Sequence, residues 1–193
     1  MRRVCVFCGA HAGSRPTYLE AARALGREMV SRGLGLVFGG GAIGLMGAVA
    51  DAVLAGGGQV TGVIPHGLMA REVGRTDLTD LRVVASMHER KALMASLSDG
   101  FLVLPGGFGT LEEAVEALTW LQLGIHRKGV VFVDVEGYWR GQLAMLDLMV
   151  HEGFLRPEMR ALALVAPDGA AALDALAGFA APALPRWLEP GET

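Results

Sequence analysis

Three glycine-rich segments of the chain expose backbone that can approach a ligand closely. They are residues 9–13, 39–47 and 105–110, and each lies between a short apolar run and a helical pattern. Backbone N–H groups at the start of a helix bind phosphate, because they point toward the ligand and the positive end of the helix dipole attracts its negative charge. Tight packing of a helix on a sheet is the alternative use of such glycines. We expect the second and third segments to hold a phosphate.

Charged side chains flank the third glycine segment. Thr110 is placed to cap a helix whose first turn contains Glu112 and Glu113. Acids in the first turn are also stabilised by the positive end of the helix dipole. A carboxylate beside a phosphate can instead face the anomeric carbon of a sugar, which becomes positive when its bond breaks. Arg90 and Lys91 open another helix, in which adjacent residues lie about 100° apart. We therefore expect only one of these two cations to point into a cleft.

The pattern G-x-G-x-x-G at residues 39–44 is also typical of dinucleotide-binding folds. In those folds the pattern follows the first strand, and an acid about 20 residues later binds the ribose. Here the pattern follows the second predicted strand, and the next strand ends in Ile64-Pro65-His66-Gly67. The sequence therefore does not favour hydride transfer.

Cys5 and Cys8 form a C-x-x-C pair that could be a redox dithiol or half of a zinc site. The pair lies in a predicted strand, where positions three apart point to opposite faces. A zinc site would need a second pair of ligands, and the histidines are scattered along the chain. The sequence predicts no metal site and no cofactor.

The composition indicates a folded protein with a small ligand. The chain has 193 residues, which is about one domain. It is 52% hydrophobic and 19% charged, which excludes disorder. A formal net charge of -3 gives no basic surface for a nucleic acid polymer or an anionic membrane. The apolar run near the N-terminus is too short for a secretion signal, so we predict a cytoplasmic protein.

Short apolar runs alternate with helical patterns along the whole chain, which is typical of βαβ units. The sequence predicts an α/β fold with a doubly wound, Rossmann-like parallel sheet and helices on both faces. It predicts a single domain at 1–180 and a C-terminal tail at 181–193. The predicted strands are 3–8, 34–38, 59–64, 81–85, 100–104, 130–135 and 161–165. The predicted helices are 16–32, 43–55, 87–98, 110–124, 141–152 and 169–180. Ligands of such sheets bind beyond the carboxyl ends of the strands, where the glycine segments lie.

Several motifs together resemble those of one family. The motifs are Gly40-Gly41-x-x-Gly44-Leu45-Met46-Gly47, Val63-Ile64-Pro65, Met87-His88-Glu89-Arg90-Lys91 and Pro105-Gly106-Gly107-Phe108-Gly109-Thr110-Leu111-Glu112-Glu113. They are similar to motifs of the Lonely Guy family, the cytokinin riboside 5'-monophosphate phosphoribohydrolases, once mislabelled as lysine decarboxylases. The resemblance implies hydrolysis of the N-glycosidic bond of a purine nucleoside 5'-monophosphate, either AMP or an N6-modified AMP. The products are free base and ribose 5-phosphate.

The resemblance also implies roles for individual residues. Arg90 and Glu113 correspond to the catalytic pair. The implied substrate contacts are Glu72, Arg90, Lys91 and the stretch Gly106, Gly107, Phe108, Gly109, Thr110, Leu111 and Glu112. Together with Met87 and the phosphate-binding amides of Gly39, Gly40 and Gly41, they form the predicted binding site. The first glycine segment departs from the family's usual G-S-S-x-G, because it reads Gly9-Ala10-His11-Ala12-Gly13 and lacks two hydroxyls.

Two other functions are weighed against this one. A carrier of a nucleotide or of the molybdenum cofactor would use the same glycine segments without turnover, but the presence of both Arg90 and Glu113 argues against it. Lysine decarboxylation would need a cofactor-bearing lysine. Lys91 and Lys128 are the only lysines, and neither has a visible pyridoxal-phosphate context.

The helix predicted at 110–124 carries more apolar surface than one domain normally exposes. Its stripe at helical spacing comprises Leu111, Ala114, Val115, Leu118, Leu121 and Gln122, with Trp120 and Leu123 extending the apolar surface. The alternative is that the helix predicted at 141–152 and the C-terminal tail cover this surface within one chain. A symmetric dimer is the commonest way to cover such surface. The resemblance likewise implies a homodimer or a multiple of dimers, with active sites near the subunit boundary.

Overall fold

Parallel strands follow the apolar runs of the sequence. The structure is a computed structural model that describes residues 1–69 and 75–183. The strands within these ranges are β1 Arg3–Phe7, β2 Gly35–Phe38, β3 Val60–Pro65, β4 Asp80–Val84, β5 Phe101–Val103, β6 Val130–Val133 and β7 Ala163–Ala166. They form one parallel seven-stranded sheet in the order β4-β3-β2-β1-β5-β6-β7. All the predicted strands and the predicted parallel sheet are confirmed, with small changes at the strand ends.

Helices connect most of these strands. They are α1 Pro16–Ser31, α2 Gly44–Ala55, α3 Met87–Leu97, α4 Phe108–Gln122, α5 Arg140–His151, α6 Pro157–Arg160 and α7 Gly169–Ala177. Every predicted helix is confirmed, whereas α6 and the short 3-10 turns at His66–Leu68 and Val135–Gly137 were not predicted. Within the described ranges, no helix has both the length and the apolar character needed to cross a membrane.

The helices cover both faces of the sheet, as the continuous apolar strands predict. Helices α1, α2 and α7 pack on one face, and α3, α4 and α5 pack on the other. Cys5 lies in the core beneath α3 and α4, whereas Cys8 lies in the core beneath α1 and α2. Both cysteines are buried and free. Their predicted orientation toward opposite faces is confirmed.

The start of α4 differs from the sequence-based prediction. The helix begins at Phe108, and its N-cap residue is Gly107, which makes no side-chain hydrogen bond. Thr110 is buried within the helix, so its predicted role as the cap is wrong. Glycine is itself a favourable N-cap residue, which allows the helix to start earlier than the hydroxyl suggests. Glu112 and Glu113 consequently lie beyond the first turn.

Strands β1 and β5 lie side by side where the order of the sheet reverses. The chain runs outward from β1 to β4 on one side, and from β5 to β7 on the other. The loops that follow β1 and β5 leave the sheet together, and the N–H of Gly9 donates to the carbonyl of Pro105 at 3.0 Å. Such a reversal leaves a crevice for ligands at the carboxyl ends of the strands.

Candidate active site

A cavity of about 440 Å³ occupies this crevice. The value falls within the range of about 300–1,000 Å³ that is common for small-molecule sites. The loop after β1 and the loop after β5 form two of its walls. The side chains and backbone that line it belong to Cys8, Gly9, Ala10, His11, Ala12, Gly13, Tyr18, Leu45, Met46, Leu68, Met87, Arg90, Pro105, Gly106, Gly107, Gly109, Thr110, Glu112, Glu113 and Tyr138.

Arg90 reaches the cavity from the first turns of α3. The side chain of Ser86 caps this helix by accepting from the N–H of Glu89 at 3.1 Å, and Glu89 accepts from the N–H of Ala85 at 2.8 Å. These two hydrogen bonds satisfy free donors at the helix start and in the residue before its cap. Arg90 is only 5% exposed, and its Nη2 donates to the carbonyl of Gly39 at 3.2 Å. The guanidinium is therefore held from both α3 and the loop after β2.

Gly39 leaves the space that the Arg90 guanidinium occupies. A Cβ atom at this position would lie 1.9 Å from Nη2 of Arg90. The glycine thus makes room for a side chain 51 residues away in the sequence. The loop after β2 contributes to the site by positioning Arg90.

We expect Gly39→Ala to displace Arg90 and to lower kcat/KM by about tenfold or more, because misplaced catalytic groups lose much of their effect. The displaced atom is the far end of a flexible side chain. The urea midpoint of unfolding should therefore change little. Steady-state assays and urea titration measure the two effects separately.

Gly141→Ala is the matched control for this change. An added Cβ there meets no atom within 4 Å, and the residue lies on α5, outside the cavity lining. It should retain wild-type turnover. Wild-type kcat/KM in the Gly39 variant would contradict the positioning of Arg90 by this loop.

Glu113 reaches the cavity from α4. Burial, and then the negative charge of Glu113, raise the pKa of both Cys5 and Cys8 well above the usual value for a thiol. The two thiols therefore stay protonated, which agrees with a structural role. Glu113 and Cys8, which follows β1, both line the cavity.

The loop after β5 packs its backbone directly against the loop after β1. A Cβ atom on Gly106 would lie 2.1 Å from Oγ1 of Thr110 and 2.9 Å from the backbone nitrogen of Gly9. Because only a glycine fits there, the two loops approach closely at the start of α4. The first N–H groups of an α-helix have no partner within the helix. Those of α4 begin beside the lining residues Gly107 and Gly109, where they can bind an anion.

Tyr138 closes another side of the cavity. Its hydroxyl donates to the carbonyl of Gly106 at 2.5 Å, and its ring packs edge-on against Tyr18 with the centroids 5.6 Å apart. In the preceding turn, Glu136 has a left-handed backbone conformation, with a φ of 52°. Its carboxylate accepts a hydrogen bond from Nη1 of Arg15 at 2.7 Å. The loop after β6 is thereby connected both to the glycine loop and to the start of α1.

Comparison with known proteins places this chain in a family. The family model described as "Possible lysine decarboxylase" matches residues 46–176. "Probable cytokinin riboside 5'-monophosphate phosphoribohydrolase LOGL9" of Oryza sativa subsp. japonica is 54% identical, over 86% of this chain and 74% of its own length. "Cytokinin riboside 5'-monophosphate phosphoribohydrolase LOG7" of Arabidopsis thaliana is 50% identical, over 86% of this chain and 77% of its own length. The chain belongs to the Lonely Guy family.

The fold of this Lonely Guy chain also occurs in solved structures of low sequence identity. The molybdenum cofactor carrier protein MCP from Chlamydomonas reinhardtii superposes with a TM-score of 0.68 at 22% identity, covering 91% of this chain and 96% of that chain. At this identity the likeness concerns the fold alone. The family membership that the sequence motifs predict is confirmed by the relatives.

The structure brings together most of the Lonely Guy residues that the sequence singles out. The cavity lining includes Met87, Arg90, Gly106, Gly107, Gly109, Thr110, Glu112 and Glu113. Outside the lining are Gly39, Gly40, Gly41, Lys91, Phe108 and Leu111. Phe108 is 93% exposed, and Leu111 packs against the core. Glu72 lies outside the described residues.

Several lining residues were not among the predicted site residues. They are the first glycine segment together with Cys8, Tyr18, Leu45, Met46, Leu68, Pro105 and Tyr138. The first segment could have been included, because it follows the strand at which a doubly wound sheet reverses. Tyr18 carries no local signal of this kind.

The lysines of this Lonely Guy chain lie outside the cavity lining. Nζ of Lys128 donates to the carbonyl of Ala95 at 2.5 Å, at the end of α3. Lys91 contacts two carboxylates of α4. These positions give no support to the decarboxylase description of the family model.

Proposed function

We propose that the protein hydrolyses the N-glycosidic bond of a purine nucleoside 5'-monophosphate, releasing free base and ribose 5-phosphate. The natural substrate class is AMP or an N6-modified AMP of the cytokinin type. One observation carries this proposal: Arg90 and Glu113, from different helices, line the same cavity as the glycine-rich start of α4. The names of the curated relatives state the same activity for those proteins.

The phosphate is assigned to the start of α4. Gly109 and Glu113 both line the cavity and are four residues apart, so they lie on the same side of the helix, one turn from each other. A 5'-phosphate on the amides near Gly109 places the ribose along this side, toward the carboxylate. Binding of the phosphate, remote from the bond that breaks, then positions C1' for reaction.

Glu113 is assigned to the reacting centre. Cleavage of the glycosidic bond builds positive charge on C1' in an oxocarbenium-like transition state. A carboxylate nearby stabilises this charge and can orient the attacking water. Arg90 supplies a compensating positive charge, because it lines the same cavity as Glu112 and Glu113. A bound 5'-phosphate would add further negative charge there.

The test is incubation of the purified protein with AMP and with N6-prenylated AMP, followed by chromatography of the bases and assay of ribose 5-phosphate. Both products should appear in equal amounts. Adenosine, which lacks the phosphate, should be cleaved far more slowly. Binding of AMP without release of base would instead support a carrier. The likeness to molybdenum cofactor carriers concerns only the fold, so no second function is proposed.

A homodimer is proposed as the assembly, and the outer surface of α4 and α5 supports it. Helix α5 has no buried residue, and its Met145 and Leu148 are 48% and 49% exposed. Val115 of α4 is also exposed. Trp120 is partly buried and packs against the core and His126, so only part of its side chain adds to this surface. The cytoplasmic location stays a prediction from the sequence.

We expect Leu148→Glu to convert a dimer into single chains, because a charge on the apolar surface opposes its burial. Light scattering at micromolar concentration should then give a mass near 20.2 kDa for the variant and about twice that for the wild type. Ala24→Glu is the control: Ala24 is an exposed residue of α1, on the opposite face of the sheet, so this variant should remain dimeric. A wild-type mass of one chain would exclude the dimer under these conditions.

A further inference from the structure

Lys91 is a buried cation that lies between α3 and α4. Its side chain is 8% exposed, and its Nζ contacts the carboxylates of both Glu112 and Glu116. The contact with Glu116 measures 2.9 Å. The two acids are four residues apart and therefore share one side of α4, so a single ammonium can bridge them.

Two residues of this bridge between α3 and α4, formed by Lys91, Glu112 and Glu116, are adjacent in sequence to the catalytic pair. Arg90 precedes Lys91 on α3, and Glu113 follows Glu112 on α4. Adjacent helical residues point about 100° apart, so on α3 one residue faces the cavity and the next faces the neighbouring helix. The Lys91 contacts thus join the two helices at this level.

The charges make this bridge hard to replace. Burial lowers the pKa of Lys91, but its hydrogen bonds to Glu112 and Glu116 outweigh burial and raise the pKa above the usual value for a lysine. Lys91 accordingly stays charged. Without it, Glu112 and Glu116 would repel each other one turn apart, close to the carboxylate of Glu113.

We propose that Lys91 is a positioning residue for the reaction: it holds α3 against α4 and thereby fixes the geometry of Arg90 and Glu113. This inference rests on the proposed function. It differs from the substrate contact that the family resemblance implies for Lys91. A positioning role acts on the transition state through two other residues, whereas a substrate contact acts on binding.

The kinetic test compares Lys91→Met, Lys91→Arg, Glu116→Gln and the double variant Lys91→Met with Glu116→Gln, using AMP. Lys91→Met should lower kcat by about tenfold or more with KM changed by less than about threefold, because small displacements of catalytic groups are costly. Lys91→Arg should restore much of kcat, since a guanidinium can bridge two carboxylates. Glu116 lies outside the active-site lining.

The double variant decides between the two roles. If Lys91 acts through α4, Lys91→Met should lower kcat by a smaller factor in the Glu116→Gln background than in the wild type. The factor for the double variant is then not the product of the factors for the two single variants. A raised KM with unchanged kcat, or effects on kcat that simply multiply, would overturn the proposal. So would a Lys91→Arg variant as inactive as Lys91→Met.

A second measurement does not depend on activity. The same variants are unfolded in urea, and the bridge predicts that the changes in midpoint caused by Lys91→Met and Glu116→Gln are non-additive. Wild-type protein that releases no base would contradict the proposed function, while this coupling would still support the bridge. Additive midpoints would overturn the bridge itself.

Discussion

Replacing Glu113 with glutamine is expected to lower kcat for base release by about a hundredfold or more, the size of effect seen when a charge aimed at the transition state is removed. The amide has nearly the shape of the carboxylate but cannot stabilise the positive charge on C1'. The glycine loop and the start of α4 are unchanged, so AMP should still bind. Rapid-quench or steady-state assays measure kcat, and isothermal titration measures the dissociation constant for AMP.

Glu20→Gln is the matched control for this variant. Glu20 is exposed on α1, outside the cavity lining, so the same chemical change there should leave turnover intact. A Glu113→Gln enzyme with wild-type kcat would remove this carboxylate from the mechanism. Loss of AMP binding together with activity would instead indicate a role in binding the ground state.

Arg90→Ala is expected to lower kcat/KM by about a hundredfold or more, through both a higher KM and a lower kcat. Among the described residues that line the cavity, Arg90 is the one arginine or lysine. Its loss leaves Glu113 beside the proposed phosphate without that positive charge. It also removes the donor that bonds the carbonyl of Gly39.

Addition of guanidinium to the assay provides the critical comparison for Arg90→Ala. The ion is small enough to enter the space left by the side chain, so it should restore part of the activity if the variant is folded. Arg90→Lys should restore less than the wild-type rate, because lysine keeps the charge but lacks the planar fork. Arg23→Ala, on the exposed surface of α1, serves as the control. An unchanged kcat/KM for AMP would exclude Arg90 from the site.

The elements of this fold could be predicted because their signals are local. Each strand is a continuous apolar run, and each helix of more than one turn carries its own periodicity, so no knowledge of neighbours was needed. The opposite orientation of Cys5 and Cys8 follows in the same way from the geometry of a single strand. The family motifs likewise pointed to Arg90 and Glu113 without a structure.

The start of α4 shows where local reasoning is too coarse. The hydroxyl of Thr110 suggests a cap, but the helix begins two residues earlier, at Phe108. Capping preferences are shared by several residue types, so glycine and threonine compete for the same role. A choice between them depends on how the loop packs, and Gly106 packs against Gly9 from another loop.

The sequence by itself determined most of the secondary structure, the parallel sheet, the family and the residues that carry charge near the glycine segments. Only the tertiary structure decided that Arg90 lines the cavity while Lys91 bridges Glu112 and Glu116. It also decided that Gly39 makes room for a guanidinium. These outcomes depend on strands and helices that are distant in the chain and meet only when β1 and β5 pair. Periodicity reports which way a side chain points on its own element, whereas its partner is set by packing between elements.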